Sequence, residues 1–354
     1  MKDKKVNKKL GHSVINKKAK KPLRATKNRL SLYLKRRPHR SFRRTRRRDY
    51  ARSFELPGYI KFTKSVAKLV WENRKIFLTL TLVYAVLMAL VTGMASQDIY
   101  SSLVDTIKTT STDTITGFWG EIGKAGLLFV STATGGLNGS LSDVEQVFSI
   151  IIILMVWMSS IWLLRNILAG HKVKLRDGLY NSSAPIISTF VVVLLLMIQL
   201  LPLAVAIIGY SAASSTGLLK SGVESMLFWF AAGSLSLISL YFITSTIFAL
   251  IIVTLPGIYP FKAIEIAGDL VIGRRLRILL RLLWLAATVV IFWAITVIPL
   301  ILFDGWIKVI FAAINWLPII PVYILLLSPL TIIWVSSYIY LLYRKAVDDE
   351  SSPA

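Results

Sequence analysis

The sequence predicts an all-α fold: a polytopic membrane helix bundle of about six transmembrane helices, preceded by a disordered basic arm and an amphipathic interfacial helix. Three observations lead there. The 354-residue chain is 55% hydrophobic, and its mean hydropathy is +0.64, values that need long uninterrupted apolar segments. Those apolar residues gather into runs of roughly 20, the length that crosses a bilayer. The charge is also split. The first 75 residues hold 27 Lys and Arg against 4 acidic residues, and the rest holds 15 against 14.

Residues 1–54 form the basic arm. Its first 50 positions carry 21 Lys and Arg and 2 Asp, densest at Lys35-Arg36-Arg37 and at Arg43, Arg44, Arg46, Arg47 and Arg48. Few apolar residues are available there to build a core, so the arm is expected to be disordered when unbound.

Residues 55–75 change pattern. Lys61, Lys64, Lys68, Glu72 and Lys75 recur at three- and four-residue steps, with Phe62, Val66, Leu69 and Val70 on the opposite side of the wheel. This is an amphipathic helix suited to the headgroup layer just before the first span. The alternative is a helix whose apolar face packs on another part of the protein.

Residues 76–345 form the membrane domain. The spans fall at about Ile76–Ala95, Val147–Leu164, Ile186–Ile208, Met226–Thr254, Leu282–Phe303 and Leu317–Tyr343. The first is read as an uncleaved span because it lies far behind the basic arm. Pro202, Pro299, Pro318, Pro321 and Pro329 lie in or near spans, where they bend helices and free carbonyls. A 96–146 segment rich in Ser, Thr and Gly is the largest loop. Gly120–Val130 within it suits a short interfacial or re-entrant helix, and both a cap and a plain tether are consistent with its composition. Residues 346–354 are a short tail.

Orientation follows from the basic residues near the spans. They are dense before span one. They recur between spans two and three (Arg165, Lys172, Lys174, Arg176), between four and five (Lys262, Arg274, Arg275, Arg277, Arg281) and after six (Arg344, Lys345). The other connections are nearly neutral or acidic. Six spans with both termini in the cytosol, in the cell membrane, satisfy every loop.

The chemistry-bearing inventory is thin. The chain has no cysteine and 3 histidines, His12, His39 and His171, which are scattered in basic segments. Thiolate metal sites, disulfides and histidine-based triads are therefore not expected. No phosphate-cradling G-x-x-x-x-G-K-[ST] loop or G-x-S-x-G elbow occurs. The polar groups inside spans include Gln199 and the run Ser234, Ser236, Ser239, Tyr241, Thr244, Ser245 and Thr246 in span four. Such groups ordinarily join helices; Gln199 is also the candidate polar group of a cavity.

The connection between spans four and five carries Pro260, Ala263, Gly273, Arg274 and Arg275. Their order resembles the membrane domain found ahead of glycerophosphodiester phosphodiesterases and related bacterial membrane proteins. The stretch 169–178 resembles a weaker counterpart, so the span 2/3 and 4/5 hairpins would form a parallel pseudo-repeat. The resemblance covers about residues 147–343. It implies a membrane module without the hydrolase, because the chain has no soluble segment of that size.

The expectation is a non-enzymatic membrane interaction or scaffold module that needs no cofactor. Its partner contacts are expected at Arg43, Arg44, Arg46, Arg47, Arg48, Lys61, Lys64, Lys68, Arg274, Arg275, Arg277 and Arg281. Anionic lipid headgroups, RNA or the ribosome, and an acidic protein all suit residues 1–50. The rival reading is a transporter or lipid-handling protein with a cavity between the span 2/3 and 4/5 hairpins.

Overall fold

The computed structural model describes residues 56–92, 143–220, 222–310 and 319–351. The basic arm, nearly all of the 96–146 loop and Pro318 lie outside the described residues. The described residues fold into nine α-helices and one short 3-10 turn, with no strand among them. The helices are α1 (Tyr59–Glu72), α2 (Arg74–Thr92), α3 (Asp143–Leu168), α4 (Leu175–Ser182) and α5 (Ile186–Ser215), then α6 (Gly222–Ile252), α7 (Pro260–Val271), α8 (Arg275–Ile310) and α9 (Ile319–Ser351).

Six of them, α2, α3, α5, α6, α8 and α9, are long and apolar enough to cross a membrane. The protein is therefore a multi-pass, all-α membrane protein. Spans of 31, 36 and 33 residues in α6, α8 and α9 reach about 45–54 Å at 1.5 Å per residue. That exceeds the roughly 30 Å of hydrocarbon, so these helices tilt or project beyond it. The lengthening corrects two boundaries: α9 runs on to Ser351, through most of the stretch expected to be a tail, and α8 runs past the expected end of span five. Asp304 and Lys308, expected in a loop, are helical and paired at 2.8 Å across one turn of α8.

Helix α9 is the hub, packing against α1, α2, α3, α6, α7 and α8. Its sequence explains how so many neighbours approach. Ser336, Ser337 and Thr331 are buried and return their hydroxyls to α9 carbonyls, leaving small surfaces for close contact. Trp293 of α8 is fully buried and donates through Nε1 to Thr331 Oγ1 at 2.9 Å.

Helix α5 shows the opposite logic. Ile187, Phe190, Leu194, Met197, Leu201, Val205 and Ile208 are exposed at helical spacing. An apolar stripe of that length facing outward is the face that meets lipid. The other side of α5 packs chiefly on α6. The strongest hairpin is thus spans three and four. The expected hairpin of spans two and three packs less closely, because α3 pairs with α2 and α9 instead.

Helix α6 is divided along its length. Its outward residues up to Phe242 are largely exposed, whereas Thr244–Thr246 and Phe248–Ile252 are buried by protein. Much of that cover comes from α7, which packs along α6, α5 and α9. Gly273 takes φ +76° between α7 and α8, a conformation open to glycine. A turn therefore separates α7 from α8.

Candidate functional site

Even numbers of crossings separate the residues before α2, the α3–α5 connection, the α6–α8 connection and the end of α9. They lie on one side of the membrane, and that side carries α1, α4 and α7. Each connection within it holds one short helix, including α4, which the sequence did not signal. The features with chemical potential gather here.

The first is the seat of α1. Phe62 and Val66 are buried, and Phe62 meets Tyr338 of α9 edge-on at 4.8 Å. The apolar face expected to rest in headgroups is therefore covered by protein, because α9 offers an aromatic partner there. Arg281 of α8 completes the seat. It is only 5% exposed, donates to Pro57 O and lies 4.2 Å from the Tyr59 ring centroid. Trp284, less than a turn further on, packs on Tyr59 at 5.6 Å and donates to Thr63 Oγ1 at 3.1 Å. This corrects the expectation for Arg281. It is not open to a partner, because the segment at the start of α1 covers it, Pro57 supplying a carbonyl and Tyr59 a π-face in place of water.

The remaining cationic candidates divide in the same way. Lys61, Lys64, Lys68 and Arg277 are exposed, and Lys68 forms a solvated pair with Glu72 at 3.7 Å. Exposed pairs of that kind are worth little. Arg275 donates to Tyr241 O at 2.7 Å and lies over the Tyr241 ring at 3.9 Å, fastening the start of α8 to α6. Arg274 is buried, so it does not present a surface cation as expected. Arg277 and Arg281 do not share an exposed face: one is outside and the other is enclosed. Arg43, Arg44, Arg46, Arg47 and Arg48 lie outside the described residues. At the edge of α1, Trp71 is exposed with Arg74 at 5.0 Å from its ring, an aromatic–cation pair of the type found at bilayer interfaces.

Gln199, Thr246 and Ser239 form a set that joins α5 to α6. Thr246 Oγ1 donates to Gln199 Oε1 at 2.6 Å. Pro202 lies inside α5 and brings no N–H to its ladder, and the N–H of Leu203 beside it donates to Ser239 Oγ at 3.1 Å. Ser234, Ser236, Thr244 and Ser245 bond to carbonyls of their own helix. Gln199 thus serves α5–α6 packing. Gln199→Leu is expected to lower stability by no more than about 1 kcal/mol, the usual scale for such bonds between spans, read as a small thermal shift in detergent.

The second feature is a cavity of about 370 Å³. It is lined by the end of α3 (Met158, Trp162, Arg165), the α4–α5 turn (Asn181, Ser182, Ala184, Pro185, Ser188) and the α6–α7 connection from Val253 to Tyr259. The floor is tied by a buried polar chain. Tyr84 Oη and Ser159 Oγ lie 2.8 Å apart, and Ser159 Oγ and Ser182 Oγ another 2.8 Å, joining α2, α3 and α4. One wall is the Leu255-Pro256-Gly257-Ile258 turn. Gly257 has φ +79° and the N–H of Ile258 donates to Leu255 O at 3.4 Å, a turn that needs glycine at its third position.

Gly178 seats α4. A Cβ built there would meet Leu163 Cδ2 at 2.9 Å, so the fully buried Leu163 side chain must shift to admit any larger residue. Gly178→Leu is expected to lift α4 and cost about 1–3 kcal/mol, the usual range for overpacking. The check is an increase in proteolysis within residues 170–185.

The class defined by these observations is a six-span, all-α membrane protein with a helical connector layer on one side. No protein-family model, curated protein or solved structure matches the chain.

Proposed function

We propose that the protein is a non-enzymatic docking module of the cell membrane. It holds a polycationic arm at the cytosolic face to recruit a phosphate-rich polyanion. The observation that carries this reading is the seat of α1. Arg281, Trp284 and Tyr338 fix the helix joined directly to the arm. The arm is then delivered from a fixed point, which raises its effective concentration at the surface. Exposed Lys61, Lys64 and Lys68 extend the same positive character along α1.

The positive-inside bias supports the cytosolic side. Neutralisation of phosphates by 21 basic residues in the first 50 supplies the affinity, at about 1 kcal/mol per basic residue near an anionic surface. The test uses the full chain in nanodiscs of phosphatidylcholine alone. These are co-sedimented with phosphatidylglycerol vesicles and separately with ribosomes, across a salt series. Binding to at least one, falling steeply as salt rises, is the expected result. No binding to either at low salt would sink the reading.

A further inference from the structure

We propose that the cavity between the ends of α3 and α6 is a binding site for a single phosphate-bearing ligand the size of a lipid headgroup. Its occupation is independent of the basic arm.

Three observations converge on this chemistry. The volume of about 370 Å³ lies in the range of small-molecule sites, about 300–1,000 Å³. Arg165 is the one ionised side chain among its described lining residues, and no carboxylate is among them. An unopposed guanidinium in a partly enclosed space selects for an anion. The α4–α5 turn also brings the start of a 30-residue helix to the rim. Pro185 is its N-cap, and Thr189 is the first residue whose N–H closes a full turn, onto Pro185 O at 2.8 Å. Of the amides just before it, that of Ile186 is already bonded to Ser183 O at 3.2 Å, and those of Ile187 and Ser188 belong to the open first turn, where backbone donors and the positive end of the dipole favour phosphate.

The competing role for Arg165 is to cap α6. Its NH1 group donates to Thr254 O, but at 3.4 Å, which is long for such a bond. The planar fork has five donors, so this bond leaves most of its capacity for a phosphate. Asn181 and Ser188 add polar groups at the rim, and Trp162 lends an apolar wall for a glycerol-like portion. Phosphate chemistry fits two sources, a phospholipid headgroup entering from the adjacent leaflet or a soluble phosphate monoester.

The test uses the full chain in phosphatidylcholine nanodiscs and compares wild type with Arg165→Gln, Arg165→Lys and Ala184→Trp. One arm titrates glycerol 3-phosphate by calorimetry. The other adds phosphatidylglycerol to the nanodiscs and measures the lipid retained at high salt by native mass spectrometry, where loose attraction to the basic arm is screened. The expected result is saturable binding in at least one arm, weakened about tenfold or more by Arg165→Gln. Arg165→Lys keeps most of it, and Ala184→Trp blocks it by filling the space. The arm that responds names the source. If neither ligand binds wild type, or if Arg165→Gln and Ala184→Trp bind as wild type does, the site is overturned. Ala184 is exposed, so Ala184→Trp decides the matter if Arg165→Gln fails to fold.

Discussion

Replacing Arg43, Arg44, Arg46, Arg47 and Arg48 together with glutamine is expected to weaken polyanion binding by several thousandfold. The magnitude rests on about 1 kcal/mol for each basic residue near an anionic surface and a factor of ten for each 1.4 kcal/mol. All five lie outside the described residues, in the arm that the sequence reading places apart from the six spans. Thermal stability should therefore stay at the wild-type value while affinity falls. The salt slope should also become shallower, by roughly 0.7–0.9 for each phosphate that is no longer neutralised if the partner is a nucleic acid. Co-sedimentation at several salt concentrations reads both quantities. Unchanged affinity would mean that this cluster does not touch the partner.

Arg281→Ala is expected to release α1 without unfolding the six spans. Two opposing effects decide the sign. Removing the guanidinium relieves the cost of burying a charge. It also removes a charge-assisted hydrogen bond to Pro57 O and the packing against Tyr59. A bond of that kind is worth about 1.5–3 kcal/mol and a shielded cation–π interaction about 2 kcal/mol. The two are not additive, and the residual Phe62–Tyr338 packing keeps part of the seat. The expected result is a destabilisation of about 2–3 kcal/mol confined to α1, on the scale of those single interactions. Hydrogen exchange of residues 59–72 should then speed up by roughly 30- to 150-fold, since each 1.4 kcal/mol is tenfold. Arg281→Lys should rescue little, because a compact ammonium neither stacks on Tyr59 as a plane nor offers a fork. Unchanged exchange in Arg281→Ala would show that apolar packing alone holds α1.

The spans are legible in the sequence because hydropathy over 20 residues is a strong local signal, and each of the six falls on a helix. Fold class follows from that alone. The connectors are harder to read. Helix α4 is short and polar, and it is held by the fit of Gly178 against Leu163, a fit with no local pattern to announce it. Residues 304–310 read as a loop because Asp304 and Lys308 are charged, yet the two neutralise each other within α8.

At the candidate site, the periodicity of α1 identifies Phe62 and Val66 as an apolar face. It does not say whether lipid or protein covers that face. The answer depends on Tyr338, 276 positions away from Phe62. Arg281 is hidden from sequence reasoning for the same cause. Positive-inside statistics describe arginines at helix ends in general, whereas its burial is created by a segment more than 200 residues earlier. Gln199 is a case where the general expectation holds: a lone amide in a span finds a hydroxyl on its neighbour. The cavity at Arg165 has no signature in the sequence, since its walls come from three separate stretches of chain.

On the proposed reading, the arm and the connector layer share the cytosolic face. The chain's lack of cysteine makes single-cysteine labelling clean, with no background thiol to remove. Ser41→Cys in the arm, Lys172→Cys between α3 and α4, and Thr216→Cys after α5 would each be expressed in intact cells and treated with a membrane-impermeant maleimide. Thr216→Cys is expected to label from outside, whereas Ser41→Cys and Lys172→Cys are expected to label only after the membrane is opened. Labelling of Ser41→Cys in intact cells, or of Lys172→Cys and Thr216→Cys from the same side, would contradict that reading.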